Sequence, residues 1–467
     1  MKDHVFKQYD IRGKIGSEID LDQVYDLGCA IAFYLKQQSP SVQRIVVGMD
    51  GRDHSPIIKK HLCSALVDSG LDVVFLGLCP SPLLYFSFTC FDVDAGLMIT
   101  ASHNPAEYNG IKIRLGDHSI WGTQIQEIKK CFYEKNRIEA FEKGEYCEKS
   151  VTDVYINWMV ANFKHLKGLD LKILFDCGNA VAGIVMPKLI EKMGWKNTKV
   201  LFAEIDGSYP NHEADPTVEE NMADAKKVLL QEGFDLAIGF DGDADRMAPL
   251  TKTGELVPGD KLMGVFSKYA SINRRNFKVV YDIKCSSALS IYLSRLGIKS
   301  DVAPSGHSLI KNKMKEIGAH FGGELSCHFF FNDRYFGYDD GIYAMMRLLE
   351  ILHSTHKSLD LLLEEFPKMI CSKEFRIECL EEQKQKIVDD VTGAFAIRED
   401  VELLLIDGIK ANCNYGSGLL RASNTQSVIC LRFESVSQEG LEKVKNDFVN
   451  CIKPYFEESF LTKNIEI

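Results

Sequence analysis

The sequence predicts an α/β protein made of three similar α/β domains in tandem, followed by a small C-terminal α+β domain. Two observations support this fold class. Short apolar runs typical of strands alternate with helical stretches along most of the chain. An internal repeat also occurs, in which an apolar strand leads into an Asp-containing turn, at 45–50 (IVVGMD), 173–178 (ILFDCG) and 279–284 (VVYDIK).

A second strand in each repeat runs into a polar loop. These strands lie at 95–100 (AGLMIT), 236–240 (LAIGF) and 320–324 (HFGGE). Because α/β sheets bind ligands at the carboxyl ends of their strands, the three loops are expected to line one cleft. From about residue 366 the pattern changes to short strands, a charged helix and a final amphipathic helix over roughly 439–456, which predicts the α+β domain.

The composition argues against several classes of protein. The 467 residues are 45% hydrophobic, enough for two to four packed domains, and the net charge of −11 argues against a broad nucleic-acid-binding surface. The chain starts without an apolar signal core, and no apolar run reaches the length of a bilayer, so we expect a soluble cytoplasmic protein with no membrane partner. The 14 cysteines include no C-x-x-C pair, which argues against a zinc ribbon and indicates core residues.

The loop at 100–105 (TASHNP) carries a candidate nucleophile. Pro105 ends regular structure, and Asn104 before it favours a turn. Ser102 is therefore expected to be accessible, with His103 beside it to orient or polarise the hydroxyl. The G-x-S-x-G pattern of α/β-hydrolases is absent here. A turn capped by the hydroxyl is the alternative interpretation.

The loop at 241–246 (DGDADR) predicts a metal site. Its alternating carboxylates, Asp241, Asp243 and Asp245, can converge on one hard cation, and without a cation they would repel one another. An EF-hand is excluded, because its sixth position holds Arg246 instead of Gly and its twelfth holds Lys252 instead of Glu. Mg²⁺ fits a three-carboxylate loop that leaves room for a phosphate oxygen; a solvated acidic turn is the alternative.

Two further loops suit a sugar phosphate. In 323–328 (GELSCH), Glu324 and Ser326 are two residues apart on an extended segment and face the same side, where they suit sugar hydroxyls. In 421–425 (RASNT), a guanidinium, two hydroxyls and an amide form a candidate phosphate cradle. Ordinary polar turns are the alternative for both loops.

Two isolated cationic residues complete the set. The segment 305–308 (SGHS) leads into a helix that ends at Gly318, so His307 is expected at a helix N-terminus, where anions bind favourably. Near the start of the chain, 9–13 (YDIRG) predicts Arg12 at a turn. A lone His or Arg is usually structural or solvated, which is the alternative interpretation for each of these residues.

Taken together and in this order, the motifs resemble the α-D-phosphohexomutase family over nearly the whole chain. Within that family the sequence is most similar to the bacterial phosphomannomutase/phosphoglucomutase branch, on the evidence of 305–311 (SGHSLIK), 323–328, 339–343 (DDGIY) and 421–425. The resemblance implies three α/β domains with mixed sheets and a fourth domain similar to the TATA-binding-protein fold, all around a central cleft. The implied boundaries are 1–148, 149–249, 250–365 and 366–467.

The resemblance also implies roles by matched motif position. Ser102 would be the phosphoserine, and its phosphate would complete the Mg²⁺ site. The implied catalytic residues are Ser102, His103, Lys112, Arg246 and His328. The implied metal ligands are Ser102, Asp241, Asp243 and Asp245. The implied substrate-binding residues are Tyr9, Arg12, Lys284, His307, Glu324, Ser326, Arg421, Ser423, Asn424 and Thr425.

The implied activity is reversible transfer of phosphate between C1 and C6 of mannose and glucose phosphates, with Mg²⁺ as cofactor and a hexose 1,6-bisphosphate as intermediate and activator. The expected partners are small sugar phosphates, and the expected assembly is a monomer or a weak homo-oligomer. Phosphoglucosamine mutase is the alternative within the family, although its sugar and phosphate loops match less well. From other classes, a Mg²⁺-dependent sugar phosphatase using Asp241 would leave the Ser102 and Arg421 loops unexplained, and a non-catalytic sugar-phosphate-binding protein would not need both a nucleophile and a metal triad.

The sequence departs from the family pattern in three places. Cys327 replaces a usual Gly in the sugar loop, Cys79 replaces a usual Thr in a turn of the first domain, and Gln426-Ser427 replaces the usual acidic-or-Thr and Pro after the phosphate loop. None of these changes removes a catalytic group. They bear on affinity and substrate preference.

Overall fold

The computed structural model describes residues 1–272, 274–423 and 427–465. By its internal contacts the chain divides into two compact units. The first unit comprises residues 1–258, 326–331 and 336–362. The second comprises 259–325, 332–335 and the described part of 363–467. Each unit is described below by itself.

The first unit begins with a mixed sheet. Its strands are β1 Ile11–Lys14, β2 Arg44–Met49, β3 Asp72–Leu78, β4 Ala95–Ile99, β5 Tyr108–Leu115, β6 His118–Ser119 and β7 Tyr146–Glu148. The strand order is β1-β5-β4-β2-β3-β7, with β6 beside β5. Strands β2, β3, β4 and β7 are parallel, whereas β1, β5 and β6 are antiparallel to their neighbours.

Four helices cover this first sheet: α1 Val24–Gln38, α2 Ser55–Asp68, α3 Ser81–Ser87 and α4 Thr123–Tyr133. Their apolar faces follow helical spacing. In α4, for example, Ile125, Ile128 and Phe132 recur three and four residues apart, and all three are buried in the core of this domain. Strand β4 is buried at every position, as expected for a strand covered on both faces. The Ser102 loop therefore leaves a rigid central strand.

A second mixed sheet follows in the same unit. Its strands are β8 Ile173–Asp176, β9 Thr198–Leu201, β10 Leu236–Phe240 and β11 Met247–Leu250, in the order β11-β10-β8-β9. Its helices are α5 Thr152–Asn162, α6 Ala182–Met193 and α7 Ala223–Glu232. Strand β10 is parallel to β8 and antiparallel to β11, so the acidic loop connects the inner strand β10 to the adjacent edge strand β11.

The second unit contains the third α/β layer. Its elements are α8 Gly259–Ala270, β12 Lys278–Asp282, α9 Ser287–Arg295, β13 Lys299–Ala303, α10 His307–Ile317 and β14 Phe321–Gly323. Strand β12 is parallel to both β13 and β14, so the three carboxyl ends share one edge. The chain then returns to the first unit with β15 Phe329–Phe331 and α11 Gly341–Thr355, and α12 Leu359–Leu363 follows.

The C-terminal part of the second unit is the expected α+β domain. Its elements are β16 Ile370–Cys371, β17 Phe375–Glu378, α13 Lys384–Ala396, β18 Val401–Leu404, β19 Ile409–Cys413, β20 Gly416–Ala422, β21 Val428–Ser435, α14 Gln438–Ile452 and α15 Glu458–Ile465. The antiparallel sheet has the order β16-β21-β20-β19-β18, and β17 also pairs with β21. Val391 of α13 and Phe448 of α14 are buried in its core.

Two sequence-based expectations were wrong in detail. Arg12 lies within β1 instead of at a turn, because it pairs with Gly110 of β5, a partner far along the chain. The final amphipathic helix ends at Ile452 instead of near residue 456, because Pro454 follows and forms part of a 3₁₀ turn. Among the described residues no helix has the length and apolarity needed to span a membrane. All 14 cysteines lie among the described residues; none of them forms a disulfide, and eight of them are buried.

Candidate active site

The loop after β4 presents Ser102 to the acidic loop after β10. Ser102 is only 2% exposed because the acidic loop packs against it, so the expectation of an accessible serine was wrong. Ser102 adopts a left-handed backbone conformation with φ +51°, and its N–H donates to the Thr100 hydroxyl at 2.8 Å. The Ser102 hydroxyl donates to Asp241 Oδ2 at 3.0 Å and lies 3.2 Å from His103 Nδ1. The candidate nucleophile is thus held between a carboxylate and an imidazole.

The acidic loop gathers its three carboxylates as predicted. Asp241, Asp243 and Asp245 are completely buried, and one oxygen from each lies within 4.8 Å of the others. Gly242 allows the serine loop to pack against the acidic loop, because a Cβ at that position would lie 2.3 Å from the Ser102 carbonyl oxygen. The Oδ1 atoms of Asp243 and Asp245 are buried without a hydrogen-bond partner. Orphaned buried carboxylate oxygens are costly, so this donor set fits a divalent cation that prefers oxygen ligands.

Lys112 of β5 provides part of the charge that the carboxylates need. Its ammonium lies 2.7 Å from Asp243 Oδ2 and 2.6 Å from Asp245 Oδ2. Burial alone would lower the pKa of Lys112, but these two carboxylates outweigh it and raise the pKa well above its ordinary value. The side chain is therefore a charged ammonium that offsets part of the negative charge of the cluster.

The carboxylates differ in how well they are compensated. Burial, and then the charges of the other two carboxylates, raise the pKa of Asp241 well above its usual range. Burial and the neighbouring Asp243 raise the pKa of Asp245 to about 6. Burial acts in the same direction on Asp243, but Lys112 outweighs it and the pKa of Asp243 is lowered. One ammonium thus leaves the cluster short of positive charge.

Arg246 and His328 border the same cluster. The Arg246 main-chain N–H donates to Asp241 Oδ1 at 3.1 Å, and the Arg246 Nε atom lies 3.7 Å from Asp241 Oδ2 while its N–H donates to His328 Nε2 at 2.9 Å. Because His328 Nε2 accepts this hydrogen bond, a neutral ring carries its proton on Nδ1. That atom faces Asp245 Oδ1 at 3.6 Å and Asp339 Oδ2 at 3.5 Å. Arg246 is therefore aimed by a carboxylate and an imidazole.

Cations also surround the serine loop. Burial lowers the pKa of His103 well below its ordinary value, and the charges of Arg246, Arg12 and Lys112 lower it further. Arg12 donates from Nη1 to Asn104 Oδ1 at 2.7 Å and from Nε to Asp10 Oδ2 at 3.0 Å. A neutral imidazole among cations leaves a positive local field, which suits a phosphoryl group on Ser102.

Tyr9 and Ser326 are the two other predicted residues of this unit, and Ser326 lies in a turn instead of the extended segment expected from the sequence. Tyr9 lies half-buried just before β1, and Ser326 lies half-buried in the turn after β14. Cys327, next to Ser326, has φ +65°. Glycine adopts that conformation without strain, which gives a physical reason for the small Gly usual at this position.

Sequence reasoning missed Ser81 and Asp339 in the first unit. Ser81, at the start of α3, donates its hydroxyl to Asp243 Oδ2, and its N–H donates to the Asp243 carbonyl at 2.9 Å. One available signal was that Ser81 follows the parallel strand β3, at the same edge as the Ser102 loop. Asp339 was quoted within the 339–343 motif but was given no role, because its proximity to His328 depends on the tertiary fold.

In the second unit, the loops after β12, β13 and β14 bring three predicted residues to one edge: Lys284, His307 and Glu324. Helix α10 begins at His307, so the prediction of a helix N-terminus is confirmed. Glu324 Oε1 accepts a hydrogen bond from the Gly306 N–H at 2.8 Å. This contact ties the carboxylate to the residue that precedes His307.

Asp282 lies at the centre of these loops and was missed. Its Oδ1 accepts from the Leu325 N–H at 3.0 Å, and its Oδ2 accepts from the Ser305 hydroxyl at 3.1 Å. The Lys284 ammonium lies 3.7 Å from Asp282 Oδ2. One fully buried carboxylate at the end of β12 therefore connects the three loops.

Arg421, on β20, is held by a carboxylate that sequence reasoning also missed. Its Nε and Nη2 each lie 3.0 Å from Asp407 Oδ2, which also accepts from the Ser305 N–H at 3.3 Å. Burial would lower the pKa of Arg421, but Asp407 outweighs it and raises the pKa. The Ser423 carbonyl accepts from the Lys384 ammonium at 2.8 Å. The remaining predicted residues of this loop, Asn424 and Thr425, lie outside the described residues, as does Gln426 of the departing Gln426-Ser427 pair.

Comparison with known proteins defines the class of this fold. Four family models match in order: phosphoglucomutase/phosphomannomutase alpha/beta/alpha domain I over residues 3–138, domain II over 153–254, domain III over 258–370 and the C-terminal domain over 374–450. The residue boundaries predicted from the sequence for the four domains remain a prediction.

Individual relatives agree over nearly the full length. The phosphomannomutase/phosphoglucomutase of Pseudomonas putida is 37% identical over 454 residues, which covers 96% of this chain and 95% of that protein. The phosphoglucomutase of Neisseria gonorrhoeae is 35% identical over 450 residues, with 96% of each chain covered. The crystal structure of a phosphoglucomutase/phosphomannomutase family protein from Burkholderia thailandensis is 32% identical and superposes with a TM-score of 0.90, covering 98% of this chain and 99% of that one.

The chain therefore belongs to the phosphoglucomutase/phosphomannomutase family. This confirms the family, the enzyme class and the fold class predicted from the sequence motifs. The roles of individual residues are a separate question, which the geometry above addresses.

Proposed function

We propose that this chain moves phosphate between C1 and C6 of glucose and mannose phosphates, through a phosphoserine at Ser102 and a hexose 1,6-bisphosphate. One observation carries the proposal: the Ser102 hydroxyl lies 3.0 Å from a carboxylate of a buried three-carboxylate cluster, in a loop surrounded by cations. Phosphoryl transfer depends mainly on positioning and charge neutralisation, and this arrangement provides both.

The metal site would be formed by Asp241, Asp243 and Asp245 together with an oxygen of the Ser102 phosphate. The orphaned Oδ1 atoms of Asp243 and Asp245 support this proposal, as does the preference of Mg²⁺ for hard oxygen ligands. When bound there, Mg²⁺ would neutralise charge on the transferring phosphoryl group.

The chain's own residues would act in two half-reactions. First, the free hydroxyl of a hexose monophosphate attacks the phosphorus on Ser102; the new O–P bond forms, the bond to Ser102 Oγ breaks, and the proton of the sugar hydroxyl is relayed to Ser102 Oγ. Second, Ser102 Oγ attacks the other phosphate of the bisphosphate; the new bond to Ser102 Oγ forms, the bond between that phosphorus and the sugar oxygen breaks, and the serine proton, which His103 Nδ1 at 3.2 Å is placed to accept, is relayed to the sugar oxygen. Arg246 would stabilise the transferring group, while Lys112 or His328 would relay the proton at the sugar oxygen.

Four residues would bind the sugar. Glu324, with Ser326, would bind sugar hydroxyls, and Lys284 and His307 would bind near them. Arg421, Ser423, Asn424 and Thr425 would hold the phosphate that is not being transferred. The two relatives described above are named for phosphate mutases of mannose and glucose, or of glucose alone, which supports hexose phosphates as the substrates.

A coupled assay of the purified protein on three substrates tests the proposal. Glucose 1-phosphate and mannose 1-phosphate differ only at C2, so a pocket that reads their shared hydroxyls should use both within about a hundredfold in kcat/KM. Glucosamine 1-phosphate should be clearly poorer, and Glu324→Ala should reduce both hexose activities together. Dominant activity on glucosamine 1-phosphate would favour the phosphoglucosamine mutase alternative, and steady release of inorganic phosphate would favour a phosphatase.

A further inference from the structure

Arg52 lies directly beneath the Ser102 loop and belongs to none of the motifs discussed so far. It follows β2 and is only 1% exposed, the largest of the fully buried side chains among the described residues. A buried arginine requires a partner for its charge and acceptors for its five N–H groups. The hydrogen-bond partners of the Arg52 guanidinium indicate its role.

Every N–H of the Arg52 guanidinium has an acceptor. Nε donates to Asp50 Oδ2 at 3.1 Å, which neutralises the charge. The other four N–H groups bind main-chain carbonyls of the serine loop. From Nη1 the acceptors are Pro105 O at 2.6 Å and Tyr108 O at 3.0 Å; from Nη2 they are Ser102 O at 2.8 Å and Asn104 O at 2.6 Å.

Neighbouring groups hold the guanidinium in place on both sides. Asp50 is fully buried and accepts from the Ser55 hydroxyl at 2.7 Å and from the Arg52 N–H at 3.1 Å. The ring of Tyr209 lies over the guanidinium, with its centroid 5.2 Å from Cζ. Arg52 is therefore a fixed point within the first unit, and the loop is bound to it.

The loop needs such a fixed point. Ser102 has φ +51°, a conformation that is unfavourable for a residue with a Cβ. Few of the loop's own main-chain groups pair within it; Asn104 N–H to Ala101 O at 3.1 Å is one such bond. Carbonyls that point inward would otherwise be unsatisfied, and the loop would relax to another shape.

We propose that Arg52 is a positioning residue for phosphoryl transfer: by binding four carbonyls of the 102–108 loop it holds Ser102 Oγ against Asp241. The proposal rests on the function proposed above and assigns Arg52 no contact with the substrate. A lysine at this position would keep the positive charge but would replace the planar five-donor fork with a single ammonium. The loop's placement therefore depends on the shape of the arginine and not on its charge alone.

Arg52→Lys is the variant that tests this role. We expect kcat to fall by about a hundredfold, because a misplacement of about 1 Å has that effect on a reaction that depends on orientation. KM for glucose 1-phosphate should stay within about threefold, since the groups proposed to bind the sugar lie elsewhere. Hydrogen exchange of the peptide 101–109 should be at least about tenfold faster, with the rest of the first domain unchanged.

Ile128→Ala is the matched control. Ile128 is a fully buried core residue of α4 in the same domain and does not belong to the loop. It should lower Tm while keeping kcat and the exchange of peptide 101–109 near wild type. If Arg52→Lys does not fold, Asp50→Asn replaces it: this change keeps the shape of the side chain, weakens the anchor of Arg52, and should reduce kcat by about tenfold with the same local exchange signature.

The outcomes separate this proposal from the proposed function. A folded Arg52→Lys with kcat within threefold of wild type overturns the positioning role. A loss of kcat without faster hydrogen exchange in peptide 101–109 also overturns the positioning role. An equal loss of kcat in Ile128→Ala, at matched Tm, overturns it as well. If the wild-type protein has no mutase activity, the proposed function fails, and the exchange experiment alone still decides whether Arg52 holds the loop.

Discussion

The surroundings of Ser102 and of Arg421 are both proposed to bind phosphate, but their charged groups are paired differently. Around Ser102, fully buried carboxylates are bonded to Lys112 and Arg246, and the loop's carbonyls are bonded to Arg52. Around Arg421, the guanidinium rests on one carboxylate, Asp407, just before β19. The first arrangement is typical of a preorganised reaction centre. The second is typical of a site that recognises a group which enters and leaves.

This difference predicts a division of kinetic effects. Changes around Ser102 should act on kcat, because the affected interactions strengthen only as the phosphoryl group moves. Changes around Arg421 should act first on KM, because they remove binding that the substrate and the transition state share. Three predictions test that division and a fourth tests the stability of the first unit; they run from the largest expected effect to the smallest.

Ser102→Ala should abolish turnover, with a loss of about 10⁴-fold or more in kcat, because the acceptor of the phosphoryl group is gone. Tm should change little. Ser69→Ala is a matched control, since Ser69 is also buried in the first domain and donates only to the Ala65 carbonyl at 2.7 Å. A Ser102→Ala protein with full activity in the coupled assay would refute the nucleophile.

Asp243→Asn should lower kcat by about 10³-fold and raise the Mg²⁺ concentration needed for half-maximal rate. The substitution removes one ligand charge and weakens the contact to Lys112. Asp206→Asn changes an exposed residue of the first unit, in the connection between β9 and α7. It should leave both kcat and the required Mg²⁺ concentration unchanged. Undiminished wild-type activity in excess chelator would show that the acidic loop does not work through a metal.

Arg421→Ala should raise KM for glucose 1-phosphate by about 10- to 100-fold, with a smaller effect on kcat. Arg398→Ala provides the comparison within the same small domain. Arg398 also binds carboxylates, Asp400 and Asp447, but lies outside the predicted phosphate loop, so its loss should lower Tm and leave KM near wild type. Equal KM values for Arg421→Ala and wild type would remove this loop from the substrate site.

The smallest effect concerns His212, whose Nε2 lies 3.2 Å from Asp176 Oδ2. Burial acts to lower the pKa of His212, but the hydrogen bond and charge of Asp176 outweigh it and raise the pKa. A raised pKa stabilises the fold fully below the unfolded value near 6.5, and this contribution disappears as the pH rises through the folded value. Wild type should therefore exceed His212→Gln by about 1 kcal/mol in free energy of unfolding near pH 6, and by less near pH 8. A difference independent of pH would contradict the ion pair.

Much of the fold and of the site could be predicted because the relevant signals are local. Strands β4 and β10 are short apolar runs, and the polar residues that follow them, Ser102 and Asp241 to Asp245, lie next to them in the sequence. The same is true of His307, which a Gly and a following amphipathic pattern place at a helix start. Local order was sufficient to predict these loops.

The missed residues have in common that their partners are distant along the chain. Ser81 binds a carboxylate 162 positions away, and Arg52 binds carbonyls about 50 positions away. Asp282 acts through loops that follow two other strands. Arg12 was expected at a turn because its pairing with β5 is equally remote. Residues that support a site are identified by their tertiary contacts, and a sequence pattern does not show those contacts.

We propose that Ser102 carries the phosphoryl group between the two positions of one sugar. The most direct test labels the protein with ³²P from a hexose 1,6-bisphosphate and then chases with unlabelled glucose 1-phosphate. We predict acid-stable label on the peptide containing Ser102, and its transfer on chase into hexose bisphosphate without inorganic phosphate. Label on Asp241, or its release as inorganic phosphate, would contradict the claim and assign the acidic loop to a phosphatase.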